Sequence, residues 1–169
     1  MTSTTQIHAR IVPNLWFDTQ ALEAAEHYID AFGGNGRIVS TTPAHPGAPS
    51  PQDVPMVVEF ELDGQSFVGI NGGPQFTFSE AVSLEVRVKN QEELDRIWTA
   101  LVAGGEEQPC GWLKDKYGLS WQITPAAYHE LMARGDAEAN ERLMTAVLAT
   151  FGKFDVAALE AAYRSEDGR

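Results

Sequence analysis

Apolar and polar residues along this chain switch period at regular intervals, and the switches mark its elements. Residues Arg10 to Phe17 (RIVPNLWF) are rich in branched and aromatic side chains and read as a strand, with Asp18 standing where a helix N-cap belongs. Ala21, Leu22, Ala25, Tyr28, Ile29 and Phe32 follow at helical spacing, and Gly33-Gly34 stop the pattern. Gly36 to Thr41 (GRIVST) predicts a second strand. The stretch Thr42 to Pro55 carries Pro43, Pro46, Pro49, Pro51 and Pro55, and because proline cannot donate to a ladder this stretch reads as a loop. Met56 to Leu62 and Gln65 to Asn71 then flank Asp63-Gly64, a dipeptide that favours a tight hairpin. The order so far is β-α-β-β-β.

From Ala81 the order repeats. Ala81 to Val88 alternates as a strand, Asn90 is a cap with Glu93 three residues on, and a helix with the stripe Leu94, Ile97, Trp98, Leu101 and Val102 runs to Gly104-Gly105. Short strands at Glu106 to Pro109 and Trp112 to Lys114, a turn at Lys116-Tyr117-Gly118 and a strand at Leu119 to Thr124 complete a second β-α-β-β-β order. Two copies, each with a helix that closes on a Gly-Gly pair, point to a duplicated module. Pro125 to about Tyr163 reads as two or three short helices. Its stripe Leu143, Met144, Val147, Leu148 and Phe151 is expected to make a core or dimer contact. The expected organisation is a paired βαβββ domain over residues 8–124, with modules at about 8–72 and 80–124, followed by a helical extension over 125–169.

Composition narrows the partners. With 24 acidic against 12 basic residues, the chain carries a formal net charge of −12, which repels phosphate backbones and anionic lipid. Nucleic acid and membrane are therefore not expected as partners. The lone cysteine, Cys110, cannot form an internal disulfide, and the first ten residues have neither a basic nor an apolar signal region, so a cytoplasmic protein is expected.

Three blocks, WFDTQALEAAEHYIDAF, VVEFELDGQSFVGINGGPQFTF and CGWLKDKYGLSWQITP, resemble in order and spacing the PhnB-like family. That family is also described as 3-demethylubiquinone-9 3-methyltransferase-like, and it is part of the vicinal-oxygen-chelate superfamily of glyoxalases, bleomycin-resistance proteins and extradiol dioxygenases. The resemblance covers residues 8 to about 163. It implies an α+β fold in which two βαβββ modules make a cupped mixed sheet with helices outside, as a homodimer. A methyl-donor site of the usual kind needs a glycine-rich turn between a first strand and a helix, whereas this chain offers NGGP (Asn71 to Pro74) between two strands. No cofactor is expected.

Strand parity sorts the remaining candidates. Val82, Leu84, Val86 and Val88 form one face of their strand, and Ser83, Glu85 and Arg87 the other. Met56, Val58, Phe60 and Leu62 oppose Val57, Glu59 and Glu61. Leu119, Trp121 and Ile123 oppose Ser120 and Gln122. If the apolar faces pack under helices, the polar faces line the cup. Metal-using members of the superfamily place His, Glu or Gln ligands on such strands. Carried over by position, the second module offers Ser83 and Gln122, while the first offers Ile11 or Pro13 and about Asn71. Apart from Gln122 and its amide oxygen, these are poor ligands or none. His8, His27, His45 and His129 show no ligand spacing and read as solvated or capping residues. Where many relatives have a histidine after NGGP, this chain has Gln75.

Cys110 reads as a buried or pocket-edge thiol, and Asp115 as a turn former in DKYG. Glu59 and Glu61 read as a solvated edge. Trp16, Phe76, Phe78 and Trp112 supply aromatic rim, while Trp121 falls on a core face. The expected ligand-binding set is Trp16, Asn71, Gln75, Phe78, Ser83, Glu85, Cys110, Trp112 and Gln122. The expected function is binding or sequestering an unidentified small molecule without a metal. The alternative is a metal-dependent lyase, isomerase or dioxygenase using Gln122, Glu85 and a carboxylate such as Glu59 or Glu61.

Overall fold

A computed structural model describes residues 11–49 and 51–164, so the expectations placed on His8 and Arg10 lie outside the described residues. The chain is α+β, and it divides between Thr77 and Phe78 into two compact units, each with a four-stranded mixed sheet.

The first unit holds β1 (Asn14–Phe17), α1 (Ala21–Ala31), β2 (Gly36–Thr42), β3 (Val57–Leu62) and β4 (Gln65–Asn71). Its sheet runs β1-β4-β3-β2, with β1 parallel to β4 and the other pairs antiparallel. The hairpin turn forms where the sequence placed it, since Asp63 and Gly64 both adopt left-handed backbone (φ 48 and 80) as a tight primed turn requires. One sheet face, with Leu15, Phe17, Val58, Phe60, Leu62 and Phe67, is buried together with the Ala21, Ala24, Ala25, Tyr28 and Ala31 stripe of α1. Asp18 is not the helix cap. Gln20 occupies that position without a side-chain bond, and Asn71 Oδ1 accepts from Ala21 N at 2.9 Å. The parallel β1/β4 pair brings the end of β4 beside the first turn of α1, so a distant residue satisfies the donor that a local cap would have taken.

The second unit repeats the plan with β5 (Ser83–Val88), α2 (Gln91–Val102), β6 (Glu106–Glu107), β7 (Trp112–Lys114) and β8 (Ser120–Pro125), in sheet order β5-β8-β7-β6. Strand order and strand direction match the first unit position for position. Asn90 Oδ1 accepts from Glu93 N at 2.9 Å as expected, while the Glu93 carboxylate reaches back to Lys89 N at 2.7 Å, one residue earlier than a standard capping box. Buried Leu94, Ile97, Trp98 and Leu101 of α2 share a core with Val88, Leu113, Trp121 and Ile123.

Three further helices, α3 (Ala126–Ala133), α4 (Ala137–Ala149) and α5 (Val156–Arg164), belong to this second unit. Pro125, expected in the first helical turn, is the last residue of β8 and the N-cap of α3. The connection after α4 is laced to the segment before β7: Cys110 N donates to Thr150 O (2.9 Å), Gly111 N to Gly152 O (3.1 Å) and Gly152 N to Gln108 O (3.0 Å). Gln91 ties the same region to α2, donating to Phe154 O at 3.1 Å and accepting from Val156 N at 2.8 Å. The apolar stripe of α4 splits. Leu143 and Val147 are buried, whereas Leu148 and Phe151 are 69% and 70% exposed. Among the described residues, no helix is long and apolar enough to cross a membrane.

Candidate functional site

Register builds the site. In the parallel β5/β8 pair Ser83 stands opposite Ser120, Glu85 opposite Gln122 and Arg87 opposite Thr124, all on the face turned away from α2. The antiparallel β7/β8 pair sets Trp112 opposite Gln122, so Glu85, Gln122 and Trp112 form a row across three strands. Above this row lies a cavity of about 190 Å3. Its floor is Glu85, Cys110, Trp112, Gln122 and Thr124, and its remaining wall is Tyr128 of α3, Val147 of α4 and Phe154. Phe154 sits so close to the backbone that a Cβ on Gly111 would lie 2.2 Å from its ring, and Gly111 adopts φ 76. Cys110, beside it, holds left-handed backbone at φ 61 although it is not glycine.

Among the described residues, Glu85 is the one charged side chain lining the cavity. Its Oε1 lies 2.9 Å from His129 Nε2, and its Oε2 accepts from Arg87 Nε and Nη2 at 3.2 and 3.0 Å. Burial pushes the Glu85 carboxyl up, but the Arg87 hydrogen bonds and charge, joined by His129, outweigh burial and hold it below the ordinary glutamate value. Gln122 is oriented by its donation to Ser83 Oγ at 2.8 Å. Lys114, next along β7, pairs with Glu80 and, at 3.4 Å, with Glu106. The hydrogen bond to Glu80 raises its pKa despite partial desolvation.

The nine expected residues therefore divide. Glu85, Cys110, Trp112 and Gln122 line one cavity, and Ser83 holds Gln122 in place. Phe78 is half-buried at the start of the second unit. Trp16, Asn71 and Gln75 belong to the first unit. There Trp16 is half-buried, donates its indole N–H to Gly73 O at 2.9 Å and meets Phe76 edge-on at 5.0 Å between ring centroids. Gln75 is exposed. Asn71, placed by sequence near a pocket, is 1% exposed and occupied within the fold: besides capping α1 it donates to Pro55 O at 2.7 Å. His129, read as solvated or capping, is instead the partner of Glu85. Sequence reasoning also missed Thr124, Tyr128, Val147 and Phe154. Thr124 shares strand parity with Gln122 and could have been found. Val147 stands in the apolar stripe read as a packing contact, and nothing local marks Tyr128 or Phe154.

A divalent ion fits these residues poorly. Glu85 is the one carboxylate among the described residues lining the cavity and both its oxygens already have partners, so the roughly six or more oxygen ligands that a hard divalent ion takes are not available there. In the first unit the positions facing away from α1 on β1 and β4 pair as Asn14 with Val68 and Trp16 with Ile70, with no carboxylate, imidazole or thiol. Glu59 accepts from Ser40 Oγ at 2.8 Å, and Glu61 pairs with Arg37 at 3.1 Å on the surface. Among the described residues no group of three or more His, Cys, Asp and Glu is arranged to hold a metal.

Residues 9–124 match the family described as 3-demethylubiquinone-9 3-methyltransferase. The chain belongs to that family. Among solved structures, the PhnB protein of Bacillus cereus, whose description carries the same methyltransferase name, is 33% identical with a TM-score of 0.64, covering 70% of this chain and 100% of that one. Protein PA1353 from Pseudomonas aeruginosa is 22% identical with a TM-score of 0.56, covering 69% and 97%. A glyoxalase/bleomycin resistance protein from Albidiferax ferrireducens T118 is 18% identical with a TM-score of 0.42, covering 67% and 96%. No curated protein matches. In this member of the 3-demethylubiquinone-9 3-methyltransferase family the cavity floor lies inside the matched segment, whereas Tyr128, Val147 and Phe154 lie beyond it.

Proposed function

We propose that the chain binds and sequesters a small molecule in the cavity of its second unit, without a divalent metal. The observation that carries this reading is one cavity lined by Glu85, Cys110, Trp112 and Gln122 with an aromatic wall. Apolar walls with a few convergent polar groups are the usual make-up of a ligand site. The poverty of the donor set supports the metal-free part, since Gln122 is held by Ser83 and Glu85 by Arg87 and His129. A homodimer in the cytoplasm completes the proposal.

Native mass spectrometry of untagged protein, before and after a chelator, tests the ligand, the metal and the subunit count together. The expected spectrum is a dimer that retains or takes up an organic mass and is unchanged by chelator. One chelator-sensitive divalent ion per subunit would overturn the metal-free reading in favour of a metal-dependent lyase, isomerase or dioxygenase. Val147→Trp, which fills the cavity from α4, is expected to abolish the organic adduct, and an adduct that persists would place the ligand elsewhere.

A further inference from the structure

We infer that the cavity takes a small aromatic amine, one ring carrying a short chain that ends in a cationic N–H group. This rests on the binding reading above and narrows it to a ligand class.

Size sets the first limit. At about 190 Å3 the cavity is smaller than the ~300 Å3 where drug-sized sites begin and slightly larger than the ~150 Å3 apolar cavity that admits benzene. One ring with a short tail fills it. The walls set the second limit, because Trp112, Tyr128 and Phe154 are all aromatic and favour a flat apolar body, while ring faces also attract cations.

Charge sets the third. Among the described residues no lysine or arginine lines the cavity, and the nearby cations are committed, Arg87 to Glu85, Lys114 to Glu80 and Glu106, and Lys153 to Asp95. An anionic ligand would therefore meet the Glu85 carboxylate directly, since the Arg87 guanidinium that pairs with it does not line the cavity. A cationic one meets acceptors. Arg87 takes both lone pairs of Glu85 Oε2, but Oε1 keeps one beyond that used by His129, and Gln122 and Thr124 add an amide and a hydroxyl on the same floor. An ammonium has three hydrogens to place among these groups.

Titration calorimetry of the full chain with three matched probes tests the class: 2-phenylethylamine, 2-phenylethanol and 3-phenylpropanoate. The amine is expected to bind about tenfold more tightly than the alcohol, and the carboxylate more weakly than either. Glu85→Gln is expected to bring the amine to the level of the alcohol, and Arg87→Gln, which removes the competing guanidinium, to tighten the amine. The wild-type comparison and the Arg87 variant keep the test decisive if the Glu85 variant folds poorly. Equal binding of amine and alcohol, preference for the carboxylate, or an amine preference untouched by Glu85→Gln would each overturn the ligand class and leave the cavity reading standing. Binding of none of the three at millimolar concentration would overturn both.

Discussion

His129 Nε2 lies 2.9 Å from Glu85 Oε1, joining α3 of the C-terminal extension to β5 on the cavity floor. Forty-four residues separate the two in the chain. Their contact joins a residue inside the segment matched by the family to one outside it.

The charge on Glu85 makes this junction sensitive to acid. Its folded-state pKa is held below the ordinary 4.5, so its stabilising contribution is fully present above that value and is lost as pH falls through the lower folded value. Urea unfolding of wild type and Glu85→Gln should show a gap that is present at about pH 5 and closes as pH falls below about 4.5. With the side chain one-third exposed, the gap should be no more than about 1 kcal/mol. A gap unchanged at pH 3 would contradict the assigned ionisation.

Gly111 should not tolerate a side chain. Its backbone is left-handed, and a Cβ would lie 2.2 Å from Phe154. Gly111→Ala is expected to destabilise by roughly 2 to 4 kcal/mol, combining backbone strain with overpacking. Adding Phe154→Leu should recover the packing part and leave the backbone part. Thermal melts of the single and double variants separate the two.

Asp115 is buried and accepts from Tyr117 N (2.8 Å), Leu119 N (3.0 Å) and Trp121 Nε1 (2.9 Å). Asp115→Ala leaves three donors to be satisfied elsewhere and is expected to cost about 3 kcal/mol or more. Asp115→Asn keeps the turn acceptor but cannot accept from the indole through its NH2 group, so an intermediate loss is expected. Near-UV circular dichroism of Trp121 should change in both variants, and an unchanged signal in Asp115→Ala would refute the role given to this carboxylate.

Asn71→Ala should loosen the start of α1, because the residue bridges Ala21 N and Pro55 O from a buried position. A loss of about 2 kcal/mol is expected. Asn71→Asp keeps the acceptor toward Ala21 but sets a carboxylate against the Pro55 carbonyl, so it should not rescue. Hydrogen exchange over residues 21–25 is the direct readout, with faster exchange expected in the alanine variant.

Periodicity, turn chemistry and Gly-Gly stops were enough to read both βαβββ orders, the Asp63-Gly64 hairpin and the burial of Trp121, because each depends on residues close in sequence. Parity likewise put Ser83, Glu85 and Gln122 on one face, since alternation along a strand is a local property. Tertiary structure alone decided the rest. Asp18 lost the helix cap to Asn71, 50 residues from Ala21, because parallel strand pairing set a better acceptor beside the helix. His129 found Glu85, and Tyr128, Val147 and Phe154 walled the cavity, because the Thr150–Gly152 connection hydrogen-bonds to the segment before β7. Sequence determined which faces were apolar and which polar, since that is fixed by neighbours a few residues apart. What each polar face would meet depended on partners dozens of residues away, and no local pattern encodes that distance.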